Sequence, residues 1–178
     1  MEQRKKRALV AQIRFVLFIL AIISIIKFFM FSSFMVVGAS MQPTLQENDR
    51  LLVHKINVHS QPMQRGDIII IKKPNDPKYY VKRVIGLPKD VVKILKGELY
   101  VNNKKRNEPY LENSLLFKYK QLLNFNQVTV PSDKLFVLGD NRLNSQDSRN
   151  ELGYIDLGSV VGKAEFVYYP LNKIHSLD

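Results

Sequence analysis

There is no cysteine anywhere in the 178 residues, and that single absence removes disulfide bracing, thiol catalysis and cysteine-ligated metal together. It suits a protein that works outside a bacterial membrane without covalent staples, and equally a cysteine-free cytosolic one. Histidine is nearly as scarce. His54, His59 and His175 stand in ordinary polar contexts, which gives a Ser-His-Asp triad little support. No His/Asp/Glu spacing suits a metal. No glycine-rich loop follows a β-rich run, so no phosphate cradle is expected. Helix-turn-helix patterning, zinc spacing and RNP-like strands are missing too, so the formal net charge of +11 finds no nucleic-acid partner.

The position of that charge is more informative than its size. Residues 1–34 hold six basic residues (Arg4, Lys5, Lys6, Arg7, Arg14 and Lys27) against one acid, Glu2. Within this stretch Ala8–Ile26 reads ALVAQIRFVLFILAIISII, 19 residues with a single charge. At 1.5 Å per residue such a helix is about 28 Å long, close to the ~30 Å hydrocarbon core of a bilayer. Arg14 lies shallow enough to snorkel to the headgroups, and the basic run at 4–7 places the N-terminal end in the cytoplasm. The expectation is a cytoplasmic tail over residues 1–7, a transmembrane helix over 8–27 and an extracytoplasmic β-rich domain over 28–178, held at the cell membrane with the lipid bilayer as a partner. A cleaved secretory leader is the rival reading, with Val37-Gly38-Ala39 as its cutting site. Against it, the apolar stretch is long for such a leader, and Lys27 and FFMFSSFM intervene. A buried soluble helix is a third reading, opposed by apolar residues on all sides rather than along one stripe.

Beyond residue 34 the texture is short β-branched runs between turns. Strands are expected at Phe34–Gly38, Asp67–Ile71, Val81–Ile85, Val91–Leu95, Leu99–Val101, Gln127–Val130, Leu135–Leu138 and Val160–Tyr169, with a tight turn at Asn102-Asn103. No internal repeat, low-complexity linker or long amphipathic helix separates them. The fold class is therefore mainly β, an antiparallel β domain on one N-terminal transmembrane helix.

Three clusters carry candidate chemistry. In Gly38-Ala39-Ser40-Met41-Gln42-Pro43-Thr44-Leu45 a serine follows a β run and a proline stops the strand, which makes either a surface turn or a side chain aimed into a cleft. In Tyr79-Tyr80-Val81-Lys82-Arg83-Val84-Ile85-Gly86, alternation puts Tyr80, Lys82 and Val84 on one face. That lysine is either an edge-strand gatekeeper or a lysine buried on purpose. Gly139–Arg149 packs two Asp, two Asn, two Arg and two Ser into eleven residues, as a solvated loop or as an internally bonded one that holds a site rigid. Arg65-Gly66-Asp67 reads as a turn entering a strand.

Together these clusters resemble the type I signal peptidases of Gram-positive bacteria. Ser40-Met41-x-Pro43-Thr44-Leu45 is similar to that family's nucleophile box, and Arg65-Gly66-Asp67-Ile68 to its next strand entry. Tyr80-x-Lys82-Arg83-x-Ile85-Gly86 matches the general-base box, and Gly139-Asp140-Asn141-Arg142-x-Asn144-Ser145-x-Asp147-Ser148-Arg149 the last one. Order and spacing agree, and the likeness spans the anchor and nearly all of the β domain.

The resemblance implies a serine endopeptidase with the antiparallel fold shared by signal peptidases and self-cleaving repressors. Its substrates would be signal peptides of translocated preproteins, cut after small residues at −3 and −1, and no cofactor or metal is implied. Ser40 would be the nucleophile and Lys82 the general base, with Ser145 hydrogen-bonding and orienting Lys82. Asp147 with Arg149, and Asp140 with Arg83, would be scaffold ion pairs. Val36, Met41, Leu45, Tyr80 and Val81 would line shallow apolar substrate pockets. For the chemistry to work, Lys82 must fall from about 10.4 to ~7–8, roughly 3–5 kcal/mol of ammonium destabilisation. Desolvation by Tyr80, Val84 and the nearby Phe34–Val37 segment is the expected cause. The chain departs from the family pattern at Gly38, where many members place a Ser or Thr whose hydroxyl supplies a second oxyanion donor beside the Ser40 N–H. Leu143, at an often polar position, is a smaller departure. A self-cleaving repressor would need a DNA-binding domain and no anchor. The reading from another class is a catalytically inactive, anchored binding or assembly protein, opposed by the presence of both Ser40 and Lys82.

Overall fold

A computed structural model describes residues 2–55, 62–111 and 123–177, so His59 lies outside the described residues. The chain forms two units, Met1–Ser32 and Ser33–Asp178. The first is essentially one helix, α1 (Glu2–Met30), which includes the expected 8–27 and runs past it at both ends. No glycine or proline interrupts it, so nothing local stops the hydrogen-bond ladder. Its described side chains from Gln12 to Ser24 are all exposed, on every side of the helix. Among the described residues no helix is long and apolar enough to cross a membrane.

The second unit is built of antiparallel strands, as the pattern of short β runs predicts. In chain order they are β1 (Phe31–Met35), β2 (Arg50–Lys55), β3 (Ile68–Lys72), β4 (Tyr79–Gly86), β5 (Val91–Leu95) and β6 (Glu98–Val101). Then come β7 (Lys104–Lys105), β8 (Phe125–Thr129), β9 (Lys134–Leu138), β10 (Ile155–Asp156), β11 (Val160–Tyr169) and β12 (His175–Ser176). A large sheet runs β1-β2-β11-β3-β4-β9-β10, with β12 beside β11, and a smaller one runs β7-β6-β5-β8. Asn102 and Asn103 both take positive φ, 54° and 61°, the primed turn that joins β6 to β7.

The unbroken Ile68–Ile71 run has a direct cause in the layering. Ile68 and Ile70 enter one apolar cluster with Val36, Met41, Leu45, Leu51 and Val53. Ile69 and Ile71 enter a second, with Val84, Leu135, Val137 and Ile155. Since both faces of β3 are covered, alternation disappears and every position becomes apolar. The small sheet closes a third cluster, in which Val92, Ile94, Leu99 and Val101 pack on Ile85, Phe136 and Leu138 of the large sheet. β4 and β9 thus supply side chains to more than one cluster, which makes them the rigid centre of the unit.

One strand expectation needs correction, and among the described residues β2 and the two-residue β7, β10 and β12 were not expected. The run read as Phe34–Gly38 leaves the sheet after Met35, because Gly38 takes φ +87°. Val36 instead exchanges backbone bonds with the loop, donating to Asp49 O at 2.8 Å and accepting from Asn48 N at 3.0 Å. β2 went unanticipated, since Arg50-Leu51-Leu52-Val53-His54-Lys55 has charged ends and too short an apolar stretch. Its pairing with the ten-residue β11 supplies what local propensity lacks.

Candidate active site

Ser40 sits in the turn-rich loop between β1 and β2. Met41 and Leu45, both fully buried, pin that loop into the first apolar cluster. From the other side Asn141 bonds it twice: its backbone N donates to Ser40 O and its Nδ2 to Ala39 O, each at 3.0 Å. Thr44 Oγ1 donates to Asp140 Oδ2 at 2.5 Å. The serine is therefore held through both flanking segments.

Lys82 comes from the middle of β4, opposite Ile69 of β3, with Tyr80 and Val84 on its face as alternation requires. Its Nζ lies 2.6 Å from Ser40 Oγ and donates to Val81 O at 2.9 Å. The residue is only 2% exposed, and this burial pushes its pKa down to about 8, while the carboxylates of Asp147 and Asp140 pull weakly upward. Both carboxylates are occupied by guanidinium groups, which limits that pull.

Asp140 takes Arg83 Nε and Nη2 at 2.9 and 2.7 Å. Asp147 takes Arg149 Nε and Nη2 at 2.9 and 2.8 Å and accepts the Gly139 N–H at 3.1 Å. The four residues named as two scaffold pairs thus lie together as those two pairs, both carboxylates fully buried. They make Gly139–Arg149 an internally bonded loop rather than a solvated one.

Ser145 is placed differently from expectation. Its Oγ is buried without a hydrogen-bond partner, so it does not bond Lys82 here. It sits instead against Gly139, where an added Cβ would stand 2.2 Å from Ser145 Oγ and 2.4 Å from Ser40 O. The loop approaches the nucleophile so closely that only glycine fits. Of the Phe34–Val37 segment, Val36 is in the first cluster, Phe34 packs against it, and the Phe34 ring meets Tyr79 at 5.3 Å. The five residues expected to line substrate pockets divide as well. Val36, Met41, Leu45 and Val81 gather at the first cluster, while Tyr80 packs against the second and donates its hydroxyl to Asp76 at 2.7 Å. Neighbours 80 and 81 on a strand must face opposite ways.

Around Gly38 there is open space, with nothing within 4 Å of an added Cβ. Leu143 is exposed. Among the described residues no group of three His, Asp or Glu could hold a metal ion. His54 lies on β2 and His175 on β12. Arg65 and Gly66 do form the turn before β3, where Arg65 pairs with Asp90 at 2.6 Å.

Sequence reasoning assigned no role to Thr44, Asn141 or Arg142, although all three lie inside the quoted boxes. It missed Glu108 and Tyr110 completely. These belong to Asn107-Glu108-Pro109-Tyr110, which reads as surface loop, yet Glu108 forms a buried ion pair with Arg142.

The family described as "Signal peptidase, peptidase S26" matches residues 9–169. "Signal peptidase I P" of Bacillus subtilis subsp. natto is 39% identical over 177 residues, covering 97% of this chain and 96% of that protein. "Signal peptidase I" of Bacillus licheniformis is 40% identical over 178 residues, covering 98% and 96%. A crystal structure of a signal peptidase I from Enterococcus faecalis V583 is 32% identical, with a TM-score of 0.47, over 58% of this chain and 97% of that one.

Proposed function

The chain belongs to the peptidase S26 family of signal peptidases and is a serine endopeptidase of the type I signal peptidase kind, and on that premise we propose that Ser40 is its nucleophile and Lys82 its general base. The observation that carries this assignment is the 2.6 Å approach of Lys82 Nζ to Ser40 Oγ in a site dry enough to bring the lysine to about 8. A neutral Nζ accepts the hydroxyl proton as Oγ attacks the scissile carbonyl, and returns it to the leaving amine. The Ser40 N–H is one oxyanion donor. The orphaned Ser145 hydroxyl supports a role once the proton has moved, accepting a hydrogen from the ammonium that Lys82 becomes. The arginine-paired Asp140 and Asp147 fix the loop without neutralising the effect of burial on Lys82.

The substrates are signal peptides of preproteins, cut after small residues at −3 and −1. The gathering of Val36, Met41, Leu45 and Val81 in the apolar cluster next to Ser40 supports small apolar side chains there. An extended substrate would lie along the Val36–Gly38 stretch. The first unit anchors the enzyme: the 19-residue apolar run Ala8–Ile26 is helical, and the described apolar side chains within it are uncovered all round, as suits contact with lipid. Residues 1–7 then face the cytoplasm and the β unit the opposite side.

The test is cleavage of a preprotein whose leader ends in Ala-x-Ala by membranes carrying wild type, Ser40→Ala or Lys82→Ala. Wild type cuts after the second Ala while both folded variants are silent. Equal cutting by all three would remove the dyad. Resistance of the chain to alkaline carbonate extraction tests the anchor.

A further inference from the structure

We propose that Glu108 and Tyr110 are positioning residues for catalysis, acting as a clamp from the small sheet that fixes the Gly139–Arg149 loop against the dyad. The proposal rests on the Ser40/Lys82 reading above.

The clamp starts where the chain leaves β7. Arg106 N still bonds Leu99 O at 2.9 Å, and Pro109–Leu111 then closes one 3-10 turn. Between them the Glu108 side chain, 8% exposed, meets the Arg142 guanidinium, 2% exposed. Nη2 donates to Oε1 at 2.5 Å and Nη1 to Oε2 at 3.3 Å. Two charges withdrawn from water carry a desolvation penalty that packed apolar side chains would avoid. What the forked geometry provides instead is direction, because a guanidinium engaged through two nitrogens is fixed in plane and reach.

Arg142 transmits that fixation inward. Its Nε donates to Gly139 O at 3.1 Å, its backbone N to Asp140 O at 3.0 Å, and its own carbonyl accepts Arg149 Nη2 at 2.8 Å. Gly139 is the residue packed against Ser40 O and Ser145 Oγ, and Asn141 is the one bonded to Ala39 and Ser40. Slack at Arg142 therefore reaches the nucleophile within three residues.

Tyr110 closes the other arm. Its ring lies over the Arg83 guanidinium, 3.9 Å from Cζ, and Arg83 is both the strand neighbour of Lys82 and the partner of Asp140. The Tyr110 hydroxyl donates to Glu108 Oε1 at 2.7 Å and accepts from Arg142 Nη2 at 3.4 Å. Burial and the adjacent Glu108 carboxylate raise its pKa far above the ordinary phenol, so it stays a donor at any working pH. One short segment thus grips Arg142 and Arg83, two of the three arginines that hold residues 139–142, the third being Arg149, while Val36, Met41, Leu45 and Val81 lie on other elements. Loosening the clamp is expected to lower kcat and leave KM alone.

The experiment is steady-state cleavage of an internally quenched peptide, with Ala at −3 and −1, by the full-length chain in detergent micelles. Misplacement of about 1 Å at a reacting group costs as much as a hundredfold, so Glu108→Gln is expected to lose about ten- to a hundredfold in kcat with KM within about twofold. Glu108→Asp, which keeps the charge and so the fold but withdraws it by one methylene, is expected to lose about three- to tenfold. Wild-type kcat in Glu108→Asp and Glu108→Gln, even with a lowered Tm, would overturn the proposal and leave the pair a purely structural one. Ser40→Ala and Lys82→Ala run alongside separate the two readings. If they are silent, a null result in Glu108 condemns the clamp alone. If they cut like wild type, the dyad falls and the clamp with it.

Discussion

Lys82 Nζ stands 2.6 Å from Ser40 Oγ, although the two residues lie 42 apart in sequence and come from different elements, a central strand and an irregular loop. Burial, not a charged neighbour, is what brings the lysine to about 8. The neutral fraction is then about a tenth at pH 7 and half at pH 8, against less than a thousandth for an ordinary lysine at pH 7.

The pH profile follows from the sign of that shift. Only the neutral amine accepts the serine proton, so kcat/KM should rise about tenfold per pH unit below 8 and level off above it. Measurement between pH 5.5 and 10 on a peptide without titratable groups checks this. A profile already level at pH 6 would exclude Lys82 as the base.

The same burial makes Lys82 a cost to the fold. Its folded pKa of about 8 lies below the ordinary 10.5, so between those values the unfolded chain binds more protons and stability rises with pH. At and below pH 7 the penalty is fully present, on the order of 3 kcal/mol. Lys82→Met should therefore raise urea-unfolding stability at pH 7, less whatever the lost bonds to Ser40 and Val81 contributed, and the gain should shrink steadily as pH climbs from 8 towards 10.5. Equal gains at pH 7 and pH 10 would mean that the lysine is not desolvated in the fold.

Much of this was legible in the residues because the relevant constraints are local. A strand alternates, so Tyr80, Lys82 and Val84 had to share a face once β4 was identified. The Asn102-Asn103 turn announces itself because both positions need positive φ. The boxes marked Ser40, Lys82 and the paired Asp and Arg residues. What escaped depends on tertiary pairing. β2 is made by its partner β11, the chain leaves the sheet after Met35 because Gly38 turns it, and Glu108 becomes buried only when Arg142 arrives from 34 residues away. No periodicity in Asn107-Glu108-Pro109-Tyr110 encodes that meeting.

Gly139→Ala should inactivate the enzyme more than it unfolds it. The added Cβ would meet Ser40 O at 2.4 Å and Ser145 Oγ at 2.2 Å, and overpacking of this kind costs about 1–3 kcal/mol. The displaced backbone is that of the nucleophile, so a kcat loss of about a hundredfold is expected. Adding Ser145→Ala relieves the clash with the hydroxyl but leaves those with Ser40 O at 2.4 Å and with the Cβ of residue 145 at 2.7 Å, so the double variant should stay impaired. Full activity in the double variant would mean that Gly139 serves Ser145 alone. The readouts are kcat on the quenched peptide and the urea midpoint.

Gly38 offers the converse experiment, a gain. The position has space, with nothing within 4 Å of a new Cβ, but its φ of +87° is one that a side chain resists. The strain is worth about 1–3 kcal/mol, and it falls on any L-residue placed there, with or without a hydroxyl. Gly38→Ala isolates that strain and should lower both stability and kcat. Gly38→Ser suffers the same strain but brings a hydroxyl to the position two residues before the nucleophile. One oxyanion donor is worth about a hundredfold or more when well aimed, so even imperfect aim should leave Gly38→Ser about tenfold faster than Gly38→Ala. The comparison between these two variants, rather than with wild type, is the decisive one, because it cancels the backbone term. Equal kcat in both would mean that a side chain here does not reach the developing charge, and that a donor elsewhere completes the hole beside the Ser40 N–H.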